Sequence, residues 1–239
     1  MSRPENAFLK SLGETSYARL REHLALVTLP HGQDIQRNET DIAWVYFPTT
    51  SVLSMIASDR AAQTAETAMA GCEGAGGLIE ACGSGVSSIE SVAQIDGQAW
   101  RSPAAWCRRL SVEEPDFAAA AWRVTELQLA ESRQSTLCQA MHKVEERFAR
   151  WMMESYDRSA GRNPLPLTQE FLAAMLGVQR TTVSQFAGEL QRKGLIRYHR
   201  GQVELLDTKG LEHLACDCRR VAQDQRARLG FTIPPPVRP

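Results

Sequence analysis

The 239-residue sequence contains no apolar run approaching the ~20 residues a membrane span requires, and its first residues, MSRPENAFLKSLGE, hold no apolar stretch suited to a secretory leader. A cytoplasmic protein with no membrane partner is therefore expected. Cysteine is sparse. Cys72, Cys82, Cys107, Cys138, Cys216 and Cys218 follow no framework of spacings, which fits reduced thiols rather than disulfides. Cys216-Asp217-Cys218 is the one close pair. A Cys-X-Cys can offer two thiolates to a metal, but no second pair lies near it in sequence, so the expectation is two small residues near a helix end, with no metal and no cofactor. The glycines at 71, 74, 76, 77, 83 and 85 lack a following Gly-Lys-Ser/Thr and do not have dinucleotide-binding spacing. Turns within a sheet account for them better than a phosphate cradle.

A net charge of −1 excludes little, but its distribution is uneven. Residues 1–138 hold 11 Lys and Arg against 17 Asp and Glu, whereas residues 139–239 hold 16 against 11. The basic part is the one suited to a polyanion.

That part contains the sharpest pattern, TQEFLAAMLGVQRTTVSQFAGELQRKGLIRYHRGQVELLD, from Thr168 to Asp207. Thr168 suits a helix N-cap, and Phe171, Leu172, Met175 and Leu176 then recur on one helical face. Gly177 stands where a chain leaves a helix in a left-handed turn. A second helix begins near Gln179, with Val183, Phe186, Ala187 and Leu190 as its buried stripe and Gly194 as its stop. Opposite that stripe lie Arg180, Thr181, Ser184 and Gln185. All four donate hydrogen bonds and none is acidic, and Arg, Gln, Ser and Thr side chains read base edges in a major groove. Leu195–Tyr198 and Val203–Leu206 flank Arg200-Gly201 as a small hairpin, made basic by Arg197, His199 and Arg200. Backbone contacts are expected from Thr168, Gln169, Gln179, Thr182, Arg197, His199 and Arg200. Protein–protein contact through the same helix pair is the competing reading.

These residues resemble the winged helix-turn-helix of the Crp/Fnr regulators, the family of the cyclic AMP receptor protein and the fumarate and nitrate reductase regulator. HKVEERFARWMM and GLEHLACDC are similar to a branch whose cyclic-nucleotide domain is degenerate. The resemblance implies an α+β protein: a degenerate cyclic-nucleotide-binding-like β-roll at 1–112, a dimerisation helix at 113–140, a DNA-binding domain at 141–229 and a mobile Pro-rich tail at 230–239. It implies no enzyme. It also implies a homodimer acting on double-stranded DNA at a near-palindromic operator, with RNA polymerase and an unidentified small-molecule effector as further partners.

Upstream, residues 7–26 read as one or two short helices with Leu20, Leu24 and Val27 inward. Ile42–Phe47 and Val52–Ile56 read as strands of a rolled antiparallel sheet. In cyclic-nucleotide-binding relatives the next segment carries a ribose-binding acid and an arginine for the cyclic phosphate. Here Leu78 falls at the acid and Ser87-Ser88 at the phosphate pair, with no arginine between Arg60 and Arg101. Cyclic AMP in its usual pose is not expected, since a buried phosphate needs a cationic partner. Pro103–Leu110 reads as a short helix. A long one, Pro115–Cys138 and about 36 Å, follows; its narrow stripe fits either one side of a dimeric coiled coil or a strut over its own domain, and the resemblance implies the former, with Phe117, Ala120, Ala121, Val124, Leu127, Leu137 and Cys138 as the dimer seam. Val144, Phe148, Trp151, Met152 and Ser155 or Tyr156 form the next stripe, and Arg158–Pro166 its exit loop.

Overall fold

The computed structural model describes residues 3–61 and 63–234. Two short helices open the chain, α1 (Ala7–Ser11) and α2 (Glu14–Arg21), with the Asn6 side chain capping the first by accepting from the Leu9 amide at 3.1 Å. Seven strands follow: β1 (Ala25–Leu29), β2 (Asp34–Gln36), β3 (Trp44–Pro48), β4 (Val52–Ser58), β5 (Thr64–Ala70), β6 (Glu90–Ile95) and β7 (Gly97–Pro103), with α3 (Leu78–Cys82) between β5 and β6. They form two antiparallel sheets, ordered β1-β7-β3 and β2-β6-β4-β5. Leu29, Leu53, Met55, Ala68, Ala70, Ala93 and Ala99 fill the space between them. This is the expected roll.

Three expectations for this half need correction. The opening helical pattern stops at Arg21, and residues 25–29 form a strand paired along β7, from Ala25 opposite Arg101 to Leu29 opposite Gly97. The β-branched Val27 and Thr28 fit a pleated surface, and Leu24 and Val27 are only half-buried. The glycine-rich segment contains turns but also α3, entered through Gly77 at φ +77°, where a Cβ would lie 2.9 Å from the Trp44 carbonyl oxygen. The helix after the roll, α4 (Ala104–Glu113), runs three residues past Leu110.

Pro115 then starts α5 (Pro115–Met141), where its missing amide costs nothing. At 27 residues this helix extends about 40 Å. It breaks at His142, and α6 (Val144–Arg158) carries the expected stripe, with Phe148, Trp151, Met152 and Ser155 buried. The C-terminal part comprises β8 (Leu165–Pro166), α7 (Gln169–Leu176), α8 (Arg180–Arg192), β9 (Ile196–His199), β10 (Gln202–Leu205), α9 (Thr208–Leu214) and α10 (Cys218–Leu229). A single hydrophobic core joins α6, α7 and α8 to Val52, Ile56, Met69 and Ile95 of the roll, so α6 packs on both parts of the chain rather than only roofing the C-terminal one.

Two further corrections concern the chain's punctuation. Arg158 ends α6 as a fully buried side chain and is no loop residue. Of the Pro-rich tail expected to be mobile from residue 230, Phe231 is buried against the roll core with the Arg123 guanidinium over its ring, while residues 235–239 lie outside the described residues.

Candidate nucleic-acid interface

Helices α7 and α8 meet through a turn whose chemistry the local sequence dictates. The Thr168 hydroxyl accepts from the Phe171 amide at 3.1 Å, and Gly177 leaves α7 at φ +64°. Leu172, Met175, Leu176, Val183, Ala187 and Leu190 are buried between the helices and α6. On the opposite side of α8, Arg180, Thr181, Ser184 and Gln185 are all exposed, as expected, whereas Thr182 is half-buried. The surface around them is not acid-free. Glu170 of α7 pairs with Arg180 at 3.1 Å, and Gln185 donates to Glu189 at 3.4 Å. With both partners of the Arg180 pair 66% exposed, it holds the guanidinium only weakly and can be exchanged for another acceptor. The Ser184 hydroxyl donates to the side-chain oxygen of the half-buried Gln169 at 2.6 Å, tying the two helices together.

The hairpin beside this face pairs His199 with Gln202 across a two-residue turn. Arg200 (φ +48°) and Gly201 (φ +74°) are both left-handed, as a turn matched to strand twist requires. Its strands start and stop one residue away from the expected bounds, and β8 adds a third, in the order β8-β10-β9. Arg197, His199 and Arg200 are exposed. Arg197 is paired with Glu204 at 2.7 Å, leaving His199 and Arg200 at the tip.

Residues 146–214 match the Crp-like helix-turn-helix domain family. The transcriptional regulator SdrP of Thermus thermophilus is 47% identical over 55 residues, which are 23% of this chain and 27% of SdrP, so that match spans about a quarter of the curated relative. The whole fold is similar to a crp/fnr-family protein from Eubacterium rectale (TM-score 0.68, 18% identity, 88% of this chain and 98% of that one). It is also similar to a CRP/FNR-family transcriptional regulator from Thermus thermophilus (TM-score 0.64, 23% identity, 80% and 98%). Residues 146–214 thus form a Crp-like helix-turn-helix domain, within a chain whose fold is that of the crp/fnr proteins it resembles.

The long helix has two apolar faces, and most of the expected dimer seam lies on the one turned to its own chain. Phe117, Ala120, Ala121, Val124 and Leu127 are buried against the roll of their own chain, with Phe117 edge-on to Phe8 at 5.5 Å between ring centroids. Cys138 is buried with Cys216 and Cys218. Of the seven residues only Leu137 is free for a partner. The other face exposes Trp122 (73%), Leu129 (48%), Leu137 (48%) and Met141 (75%). The intrachain stripe was the stronger periodic signal because it is continuous from Phe117 to Leu127, while the exposed stripe is spaced more widely.

Sequence reasoning also missed the groups that join the roll to the rest of the chain. Arg158 bonds Glu73 of the roll at 2.7 Å, Glu131 of α5 at 2.7 Å and Glu154 at 3.2 Å, and Arg226 of α10 shares Glu131 at 2.7 Å. All five side chains are buried. Gly71 permits this approach, since a Cβ there would lie 2.7 Å from that of Arg158. Burial opposes the charge of Glu154, but Arg150, Arg158 and Arg226 outweigh it and hold the carboxyl down to about 2. Glu131, by contrast, is pushed up by burial despite Arg158 and Arg226. Nearby, Glu66 of β5 accepts from the Trp151 indole of α6 at 2.7 Å and from Ser54 at 2.5 Å. Its burial raises the carboxyl to about 7, only partly offset by those hydrogen bonds and by Arg150. No local pattern marks these residues; each is one charge in a half-apolar segment.

In the roll, Leu78 is buried in the core beneath α4. The Ser87 hydroxyl is also buried, donating to the Ile89 carbonyl at 2.8 Å and accepting from Gln36 at 3.2 Å, whereas Ser88 is exposed. An arginine does reach this loop, but from α4: Arg108 packs against Gly85 and donates from Nε to the Ala81 carbonyl at 2.9 Å.

Proposed function

We propose that the protein is a sequence-specific DNA-binding transcription regulator that acts as a homodimer on a near-palindromic operator and is not controlled by cyclic AMP in the usual pose. The observation that carries the reading is the exposure of Arg180, Thr181, Ser184 and Gln185 on one face of α8, beside a hairpin tip that presents His199 and Arg200. Those four reach base edges, with Arg180 donating to guanine. Thr168, Gln169, Gln179, Thr182, Arg197, His199 and Arg200 lie on the backbone and set register. Gln169 and Arg197 must first release Ser184 and Glu204.

The exposed stripe Trp122, Leu129, Leu137 and Met141 supports pairing of two α5 helices. A two-fold dimer reads half-sites about one helical turn, ~34–36 Å, apart. Leu78, buried and apolar, and Ser87, already hydrogen-bonded, support the exclusion of cyclic AMP. An effector of another kind and RNA polymerase remain proposed partners.

Selection of bound sequences from fragmented genomic DNA, followed by gel shift of the winners, tests the central reading. A palindrome with half-sites one turn apart is expected. No retardation by the free protein or after addition of cell extract sinks it. Thermal shift with cyclic AMP tests the roll, and a large stabilisation would refute the reading of Leu78 and Ser87.

A further inference from the structure

Cys138 and His142 lie one helical turn apart at the end of α5, where i and i+4 share a face; Cys216 lies in the turn after α9, and Cys218 is the first residue of α10. Although 78 residues separate them in sequence, Cys138 Sγ and Cys216 Sγ approach to 3.5 Å, and Cys218 Sγ lies 3.4 Å from His142 Nδ1. All four potential donor atoms lie within 4.8 Å of one another. The three cysteines are buried and make a cluster apart from the three main hydrophobic cores.

We propose that Cys138, His142, Cys216 and Cys218 bind a single zinc ion. A tetrahedral zinc with Zn–S near 2.3 Å and Zn–N near 2.0 Å has S···S edges of about 3.8 Å and S···N edges of about 3.5 Å. The two close approaches match such edges, and one ion at the centre draws the remaining pairs in. A disulfide needs its sulfurs about 2.0 Å apart, and it would use two of the three thiols and leave the histidine without a role. Three buried thiolates and a half-buried imidazole form a complete four-donor set for a structural zinc, with no open position for substrate. Donors this close enclose one ion and leave no room for a multi-iron cluster. The complex carries one net negative charge. Arg147, buried beside it, offsets that charge and donates at 3.4 Å to the carbonyl of Gln139, the neighbour of Cys138.

The site's position gives the ion a consequence. His142 is the residue at which α5 ends, and α9 alone separates Cys216 from the basic hairpin. Zinc therefore pins the long helix, its break and the segment behind the hairpin to one another. Arg147 extends the link, since its other nitrogen donates to the Leu176 carbonyl at the end of α7 at 2.9 Å. Loading the site fixes the orientation of α7 and α8 relative to the long helix.

The test begins with metal analysis of the full-length, untagged protein purified under reducing conditions without chelator. One zinc per chain is expected. Cobalt substitution should give intense visible d–d bands and a near-ultraviolet thiolate charge-transfer band. X-ray absorption should count three sulfurs and one nitrogen. The Cys216→Ser/Cys218→Ser double variant should lose the metal, while Cys82→Ser, remote from the cluster, keeps it. Chelation should lower the Tm of the parent by several degrees and leave that of the double variant unchanged. Folded protein that carries no zinc and gives no cobalt spectrum overturns the proposal, as does zinc retained by the double variant. Should the double variant not fold, the sulfur and nitrogen count on the parent decides alone. Metal content is scored without DNA, so zinc-loaded protein that binds no DNA would remove the regulator reading and keep the site.

Discussion

Replacing Glu66 by Gln should stabilise the protein at slightly alkaline pH and leave it nearly unchanged at mildly acidic pH. Glu66 is buried between β5 and α6, and burial raises its carboxyl from 4.5 to about 7. The folded state thus binds a proton more tightly than the unfolded state does. The favourable contribution of the protonated form is complete below about pH 4.5 and is lost as pH rises through about 7. Taking roughly 1.4 kcal/mol per pKa unit, the loss across that window is about 3 kcal/mol. Glutamine keeps the acceptor for Trp151 and can donate to Ser54, so the variant retains the packing without the titration. Against the parent it should gain little near pH 5 and up to ~3 kcal/mol near pH 8. That gain corresponds to roughly 6–12 °C in Tm for a chain of this size. The assay is paired thermal and urea unfolding of both proteins across that range, compared as differences at each pH. A difference between the two proteins that does not change with pH would refute the assignment of the slope to Glu66. Because this carboxyl joins the roll to α6, the same window should loosen the contact between the two parts of the chain, read as hydrogen exchange at the Trp151 indole.

Other perturbations separate the remaining roles. Arg158→Met removes the buried partner of Glu73, Glu131 and Glu154, and should cost about 3–5 kcal/mol in urea unfolding, because uncompensated charges stay behind. Arg180→Ala should weaken binding to the selected operator by ~1–3 kcal/mol and relax preference at one base position; equal weakening for all sequences would make Arg180 a backbone contact. Arg200→Ala should lower the slope of log affinity against log salt by about 0.9, and an unchanged slope would count against a phosphate contact at the hairpin tip. Trp122→Glu with Leu129→Glu should convert a dimer to monomers in sedimentation, whereas Ala121→Ser, on the face turned to the roll, should leave the assembly intact.

By itself the sequence determined what short-range chemistry controls. The cap at Thr168, the helix start at Pro115, the left-handed exit at Gly177, the turn at Arg200-Gly201, the buried Val183, Ala187 and Leu190 of α8 and the exposed face opposite them were legible, since each depends on residues within one or two turns. Elements whose type depends on a distant partner were not. Residues 25–29 pair along β7 although their local pattern continues a helix. Tertiary structure also decided which apolar face of α5 belongs to its own chain, because two stripes on one helix look alike until the roll occupies one. It alone brought Arg158 to its three carboxylates, and Cys138 and His142 to Cys216 and Cys218, for neither a buried charge nor a thiol carries a mark of which distant residues will surround it.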